Sequence, residues 1–184
     1  MTSNPLTEKM LNENPLIKFS VYTDIQSKLV NSLGQDILQV LQTAIIPAPA
    51  EGQGAHCDAQ ILNAVYGQFW LWVLGAYEVV RTMCSAKKCF SPLIVGRLMD
   101  LKRKLSILRM PFAKQELPGK STPVRAEPSI YDIRCSPPDL SFEVKGQVLS
   151  ARELIDEFAF VFSGISRFDI LADQRTAYCS LPPA

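Results

Sequence analysis

The sequence is poor in the residues that catalysis and metal binding need. It contains one histidine, His56, in 184 residues. A Ser-His-Asp or Cys-His system would have to be built on that single imidazole. His56 stands beside Cys57, just before a helix start, and adjacency alone does not present a nucleophile to a base. The five cysteines (Cys57, Cys84, Cys89, Cys135 and Cys179) are odd in number and irregularly spaced. They read as free thiols in a reducing, cytoplasmic setting. Residues 1–15 are polar, so no signal peptide is expected. Charge of one sign is lacking too: 19 basic and 18 acidic residues leave a net of +1.

Long apolar runs are also scarce. Residues 59–77 carry no charge and include Phe69-Trp70-Leu71-Trp72-Val73-Leu74. Gln60, Asn63, Gly67 and Gln68 interrupt the first half, and the tryptophans sit in mid-segment. Membrane spans need about 20 apolar residues and place tryptophan at their ends. A helix inside a bundle is expected instead, with no membrane partner.

What is present is a globular composition, 47% hydrophobic and 20% charged. One domain over residues 1–184 is expected, large enough for a core without disulfides or metal. The predicted fold class is mainly α: an antiparallel four-helix-type bundle with a small β-hairpin inserted before the last helix. Residues 1–20 read as a loosely attached arm, 113–128 as a proline-rich linker and 165–184 as a tail.

The first helix is predicted from Asp24 to Ile46, with Ile25, Leu29, Leu33, Ile37, Val40, Leu41 and Ala44 at helical spacing. Pro47 to Gly54 breaks it. Asp58 caps a second helix running to Cys84, apolar on two faces and therefore taken as the buried centre. Ser91-Pro92 reads as N-cap and first residue of a third helix. Its seam is Ile94, Leu98, Leu101, Leu105, Leu108 and Phe112, with Pro111 expected to stop or kink it. Short strands are predicted at Ser129–Cys135, Leu140–Val144 and Gln147–Leu149, with a tight turn at Lys145-Gly146. Ser150 and Glu153 form a capping-box pattern opening a fourth helix to Ser163. The predicted core contains Leu62, Phe69, Val73, Val80, Leu98, Leu101, Leu105, Phe158 and Phe162.

Candidate sites were tested against the chemistry they require. Pro118-Gly-Lys-Ser-Thr122 resembles the end of a phosphate-binding loop. Lys114 stands where the earlier glycine belongs, however, and Pro123 obstructs the following helix. A zinc site from His56, Cys57, Cys84 and Cys89 would straddle a helix of about 40 Å, so no metal site is assigned. Glu153, Asp156 and Glu157 lack the inward histidines of a di-metal bundle. No catalytic residue and no cofactor are assigned.

Two surfaces remain. Between Arg81 and Arg125 there are eleven basic and two acidic residues, a net of +9; the rest has eight basic and sixteen acidic, a net of −8. Arg97, Lys102, Arg103, Lys104 and Arg109 lie off the leucine seam and are the nucleic-acid-binding candidates within region 87–125. The competing account is that the basic and acidic regions fold together and pair. Trp70, Tyr77, Glu78 and Arg81 are the candidates for a small-molecule or enzyme pocket between helices. With no catalytic constellation, the leading expectation is a non-enzymatic protein-interaction module, a homodimer through a helical surface.

Overall fold

A computed structural model describes residues 5–46, 56–114 and 130–174. It is mainly helical, with a small three-stranded antiparallel sheet. Helix α1 (Pro5–Glu13) and a 3-10 turn at Pro15–Lys18 lead into α2 (Val21–Ala44). The last two residues of the predicted first helix instead form β1 (Ile45–Ile46), antiparallel to β2 (His56–Cys57). This pairing brings the ends of the Pro47–Gly54 segment together; the segment itself lies outside the described residues.

Helix α3 (Ala59–Ser85) starts where Asp58 accepts hydrogen bonds from the Gln60 and Ile61 amides, at 2.9 and 3.2 Å. A 3-10 turn at Lys87–Cys89 leads to α4 (Pro92–Lys114). Pro111 does not end α4 but sits buried in its last turn, where the helix forgoes the one bond that residue would have donated to the Ile107 carbonyl. Of the linker expected at 113–128, residues 113 and 114 belong to α4, and the rest lies outside the described residues.

The sheet has order β3-β4-β5, from β3 (Ile130–Cys135), β4 (Pro138–Val144) and β5 (Gln147–Ser150). It therefore has one strand more than a hairpin. Lys145 and Gly146 take φ of 54° and 74°, the left-handed pair that a two-residue hairpin turn needs. β4 was expected to bury alternate residues only. Asp139 to Phe142 are all buried, because this central strand is covered on both sides. Helix α5 (Ala151–Ser163) follows directly.

α3 packs against both α2 and α4, while α5 packs against α4 and α2 and β4 rests on α2 and α5. α2 and α3 run antiparallel, with Trp72 beside Val30 and Asp58 beside Ala44. Trp72 Nε1 donates to the Val30 carbonyl at 3.0 Å, and the Asp58 amide to Ala44 at 3.2 Å. Trp70 Nε1 donates to the Phe112 carbonyl at 2.8 Å. An aromatic cluster joins these elements. Phe69 stacks on Phe142 at 5.0 Å and on Trp72 at 5.7 Å, and Phe158 meets Trp72 edge-on at 5.8 Å. Eight of the nine predicted core residues are buried; Phe162 is half-buried and stacks on Phe158.

The arm and tail are anchored where the sequence shows little pattern. Leu16 and Phe19 are buried, and Phe19 packs on Phe90 at 4.6 Å. Ile170 is buried and bridges to Phe90, the Leu171 amide donates to Cys89 O, and the Gln174 amide to Phe19 O. These contacts are long-range, so local periodicity could not signal them.

Asp139 ties the sheet to α5. Its fully buried carboxylate accepts from Ser150 Oγ at 2.6 Å, from the Arg152 amide at 2.9 Å and from Arg134. Ser150 in turn accepts from the Glu153 amide at 3.0 Å. The α5 N-terminus thus has two side-chain caps, one of them an anion suited to the helix dipole. Replacing Asp139 with Ala strands Arg134 and these donors. The expected loss is about 3 kcal/mol, read as a lower urea midpoint. Gly34 lies at a close helix crossing: a Cβ there would lie 2.8 Å from both Ile155 Cγ2 and Trp72 Nε1. Gly34→Ala is expected to destabilise by about 1–3 kcal/mol despite alanine's better helix propensity, with the same urea measurement as the check.

Candidate interaction surface

The two charged regions touch at three described ion pairs, Lys104 with Glu157 and both Arg81 and Arg109 with Glu78. Lys104 Nζ on α4 meets Glu157 Oε2 on α5 at 2.7 Å. The other basic candidates also have neighbours within the chain. Arg97 lies over the Phe160 ring at 5.3 Å. Arg103 reaches Asp100 one turn back at 3.3 Å. Arg109 covers the Tyr77 ring at 5.2 Å and approaches Glu78 at 3.9 Å. Lys102 lies near Cys84, where its charge opposes the effect of burial on the thiol. Their partners are on α3, α4 and α5, so the five cations point in several directions and make no single stripe.

Of the pocket candidates, Tyr77, Glu78 and Arg81 do come together. Glu78 bridges Arg81 at 2.7 Å and Arg109, and the pair expected from the i, i+3 spacing is present and half-exposed. Trp70 is two turns away, closing on Phe112. Two grooves of about 620 and 610 Å³ are present elsewhere. One lies between α4, β5 and α5, the other between the N-terminal turn, α2 and α5. Neither is lined by Trp70, Tyr77, Glu78 or Arg81.

Burial raises the Cys84 thiol pKa, with Lys102 acting against it. Burial also raises that of Cys89, and Asp173 adds to the effect. Both thiols are thereby held protonated and are poor nucleophiles. Among the described residues, no group of three or more His, Cys, Asp or Glu is placed to hold a metal ion. Nor does any described helix have the length and apolarity to cross a membrane.

The feature that periodicity alone does not reveal is on α2. Ile25 and Leu29 fall at helical spacing with Ile37, Leu41 and Ala44, yet they are 50% and 65% exposed, and Tyr22 is 79% exposed. Thr23, Asp24 and Ser27 are buried in their place. The polar side is satisfied locally. Ser27 Oγ donates to the Asp24 carbonyl, and Asp24 holds Lys28 at 2.6 Å, which also reaches Asn14. From Ile37 onward the helix behaves as expected, with Ile37, Leu38, Leu41 and Ala44 buried.

α3 also exposes an apolar side chain on its α2 side. A Cβ at Gly75 would lie 3.3 Å from Val30 Cγ2, which places Gly75 on the α2 side of α3. Leu71 is one turn from Gly75 on that side and is 55% exposed. α3, expected to be buried on most sides, thus leaves Leu71 and the edge of Trp70 in solvent. The sequence did hold a signal for the inversion: Thr23, Asp24 and Ser27 recur at helical spacing opposite Tyr22, Ile25 and Leu29.

No family model, curated protein or solved structure matches the chain.

At one end of the molecule, Asp169 clamps the C-terminal segment to the start of α4. Its carboxylate accepts from Ser166 Oγ and Ser91 Oγ, both at 2.7 Å, and from the Ser166 amide at 3.0 Å. The Ser166 hydroxyl, the Ser91 hydroxyl and the Ser166 amide, in that order, hold its pKa below the usual 3.8; Arg97 adds to them, and burial opposes. A carboxyl more acidic when folded stabilises fully above its unfolded pKa and loses that contribution as pH falls through the folded value. Below about pH 4, the Leu171 and Gln174 amides are therefore expected to lose hydrogen-exchange protection before the helices do. Asp169→Asn should remove this acid-side step.

Proposed function

We propose that this chain is a non-enzymatic protein-interaction module of the cytoplasm, an antiparallel four-helix-type bundle that works through the outward apolar face of α2. One observation carries the proposal: α2 buries Thr23, Asp24 and Ser27 while exposing Tyr22, Ile25 and Leu29. Burying a large apolar side chain is worth about 1.5–3 kcal/mol. A contiguous face that forgoes this marks a surface for another molecule. The basic residues of α4 support the nucleic-acid alternative less well, since most have partners inside the chain.

Hydroxyl-radical footprinting tests this. Tyr22, Ile25 and Leu29 are expected to react strongly in dilute pure protein and to be protected in extract of the source cells. A Leu29→Arg variant should lose that protection while its own stability changes by less than about 0.5 kcal/mol. Equal reactivity in extract and in dilute buffer would remove the interaction reading.

A further inference from the structure

We infer that the occupant of the α2 face is a second copy of this chain, docked antiparallel about a twofold axis through Leu29. The inference rests on the interaction reading above and names its partner. At 100° per residue, Tyr22, Ile25, Leu29, Leu33 and Asp36 share one side of α2. Four of the five carry no charge. Asp36 is exposed and has no ion pair among the described residues. A twofold axis at Leu29 pairs each position with the one equally far on the other side of it.

That operation makes the face complementary to itself. Leu29 meets its own copy, and Ile25 meets Leu33, apolar against apolar. Gln26 meets Ser32, two neutral polar groups. Tyr22 meets Asp36, so a phenol O–H finds the carboxylate that is the face's one ionised group. Such a hydrogen bond to a charged acceptor is among the stronger kinds. A parallel arrangement would instead set the two Asp36 carboxylates against each other, and like charges across an interface oppose docking. The stripe from Tyr22 to Asp36 is about 21 Å long at 1.5 Å per residue. Leu71 of α3 widens it on one side, beside the C-terminal part of the stripe, where an antiparallel copy would place its Ile25 end.

Sedimentation equilibrium of the pure full chain tests the proposal. Wild-type protein is expected at twice the 20.5 kDa chain mass. Leu29→Arg places two guanidinium groups on the axis and should weaken the dimer by roughly a hundredfold. Tyr22→Glu sets carboxylate against Asp36 twice per dimer and should weaken it by roughly tenfold. Adding Asp36→Lys to Tyr22→Glu should restore the affinity, which a parallel or unrelated interface would not do. All three positions are exposed, and a circular dichroism melt checks that each variant folds. A wild-type monomer at high micromolar concentration overturns the proposal, as does failure of the charge swap to rescue. If the monomer's α2 side chains are still protected in cell extract, only self-association falls. If they are protected nowhere, the interaction reading falls with it.

Discussion

The close crossing of α2, α3 and α5 at Gly34 is the constraint on which the arrangement depends. With no side chain at Gly34, the Trp72 indole reaches across α2 to donate to the Val30 carbonyl, and Ile155 of α5 enters from the other side. Trp72 is fully buried and touches both Phe69 and Phe158. The aromatic cluster, the sheet strand carrying Phe142 and the last helix are therefore all positioned from one point. A buried tryptophan needs a partner for its N–H, and only a backbone bare at that spot supplies the room. The sequence marks Gly34 as a residue that weakens a helix; the packing gives it a purpose.

The same crossing bears on the outward face. It fixes the side of α2 that meets α3, and toward the N-terminus that side presents Thr23 and Ser27 rather than Ile25 and Leu29. Leucines at helical spacing in the first half of α2 thus serve a surface, and those in the second half serve the core. One stripe cannot do both unless the apolar residues change sides along the helix, and here they do. Because the Ser27 hydroxyl and the Asp24 carboxylate have partners close at hand, this half of the helix avoids stranding them.

Charge follows a different logic. The basic excess between Arg81 and Arg125 is dispersed by the geometry of α4, which directs Lys104 to α5, Arg109 to α3 and Arg103 to its own helix. The buried charge that matters most to the framework is Asp139, outside that region. It combines a salt bridge, a hydroxyl and a helix amide in one site. No local pattern distinguishes it from the exposed acids nearby, because its partners come from β3, β5 and α5.

Local physics was legible in the chain. Asp58, Ser150, the Lys145-Gly146 turn and the leucine seam of α4 each act within a few residues of themselves, so α2 to α5, the strands β3 to β5 and most of the core could be predicted, whereas α1 and the β1–β2 pair could not. The anchoring of Phe19 and Ile170 depends on pairings across more than seventy residues, which periodicity does not encode. The candidate surface was half legible: the residues were recognised as an apolar stripe, but not the side they face. A stripe shows that a helix has two faces. Which of them meets the core is decided by its neighbours, and here Trp72 crossing at Gly34 made that choice.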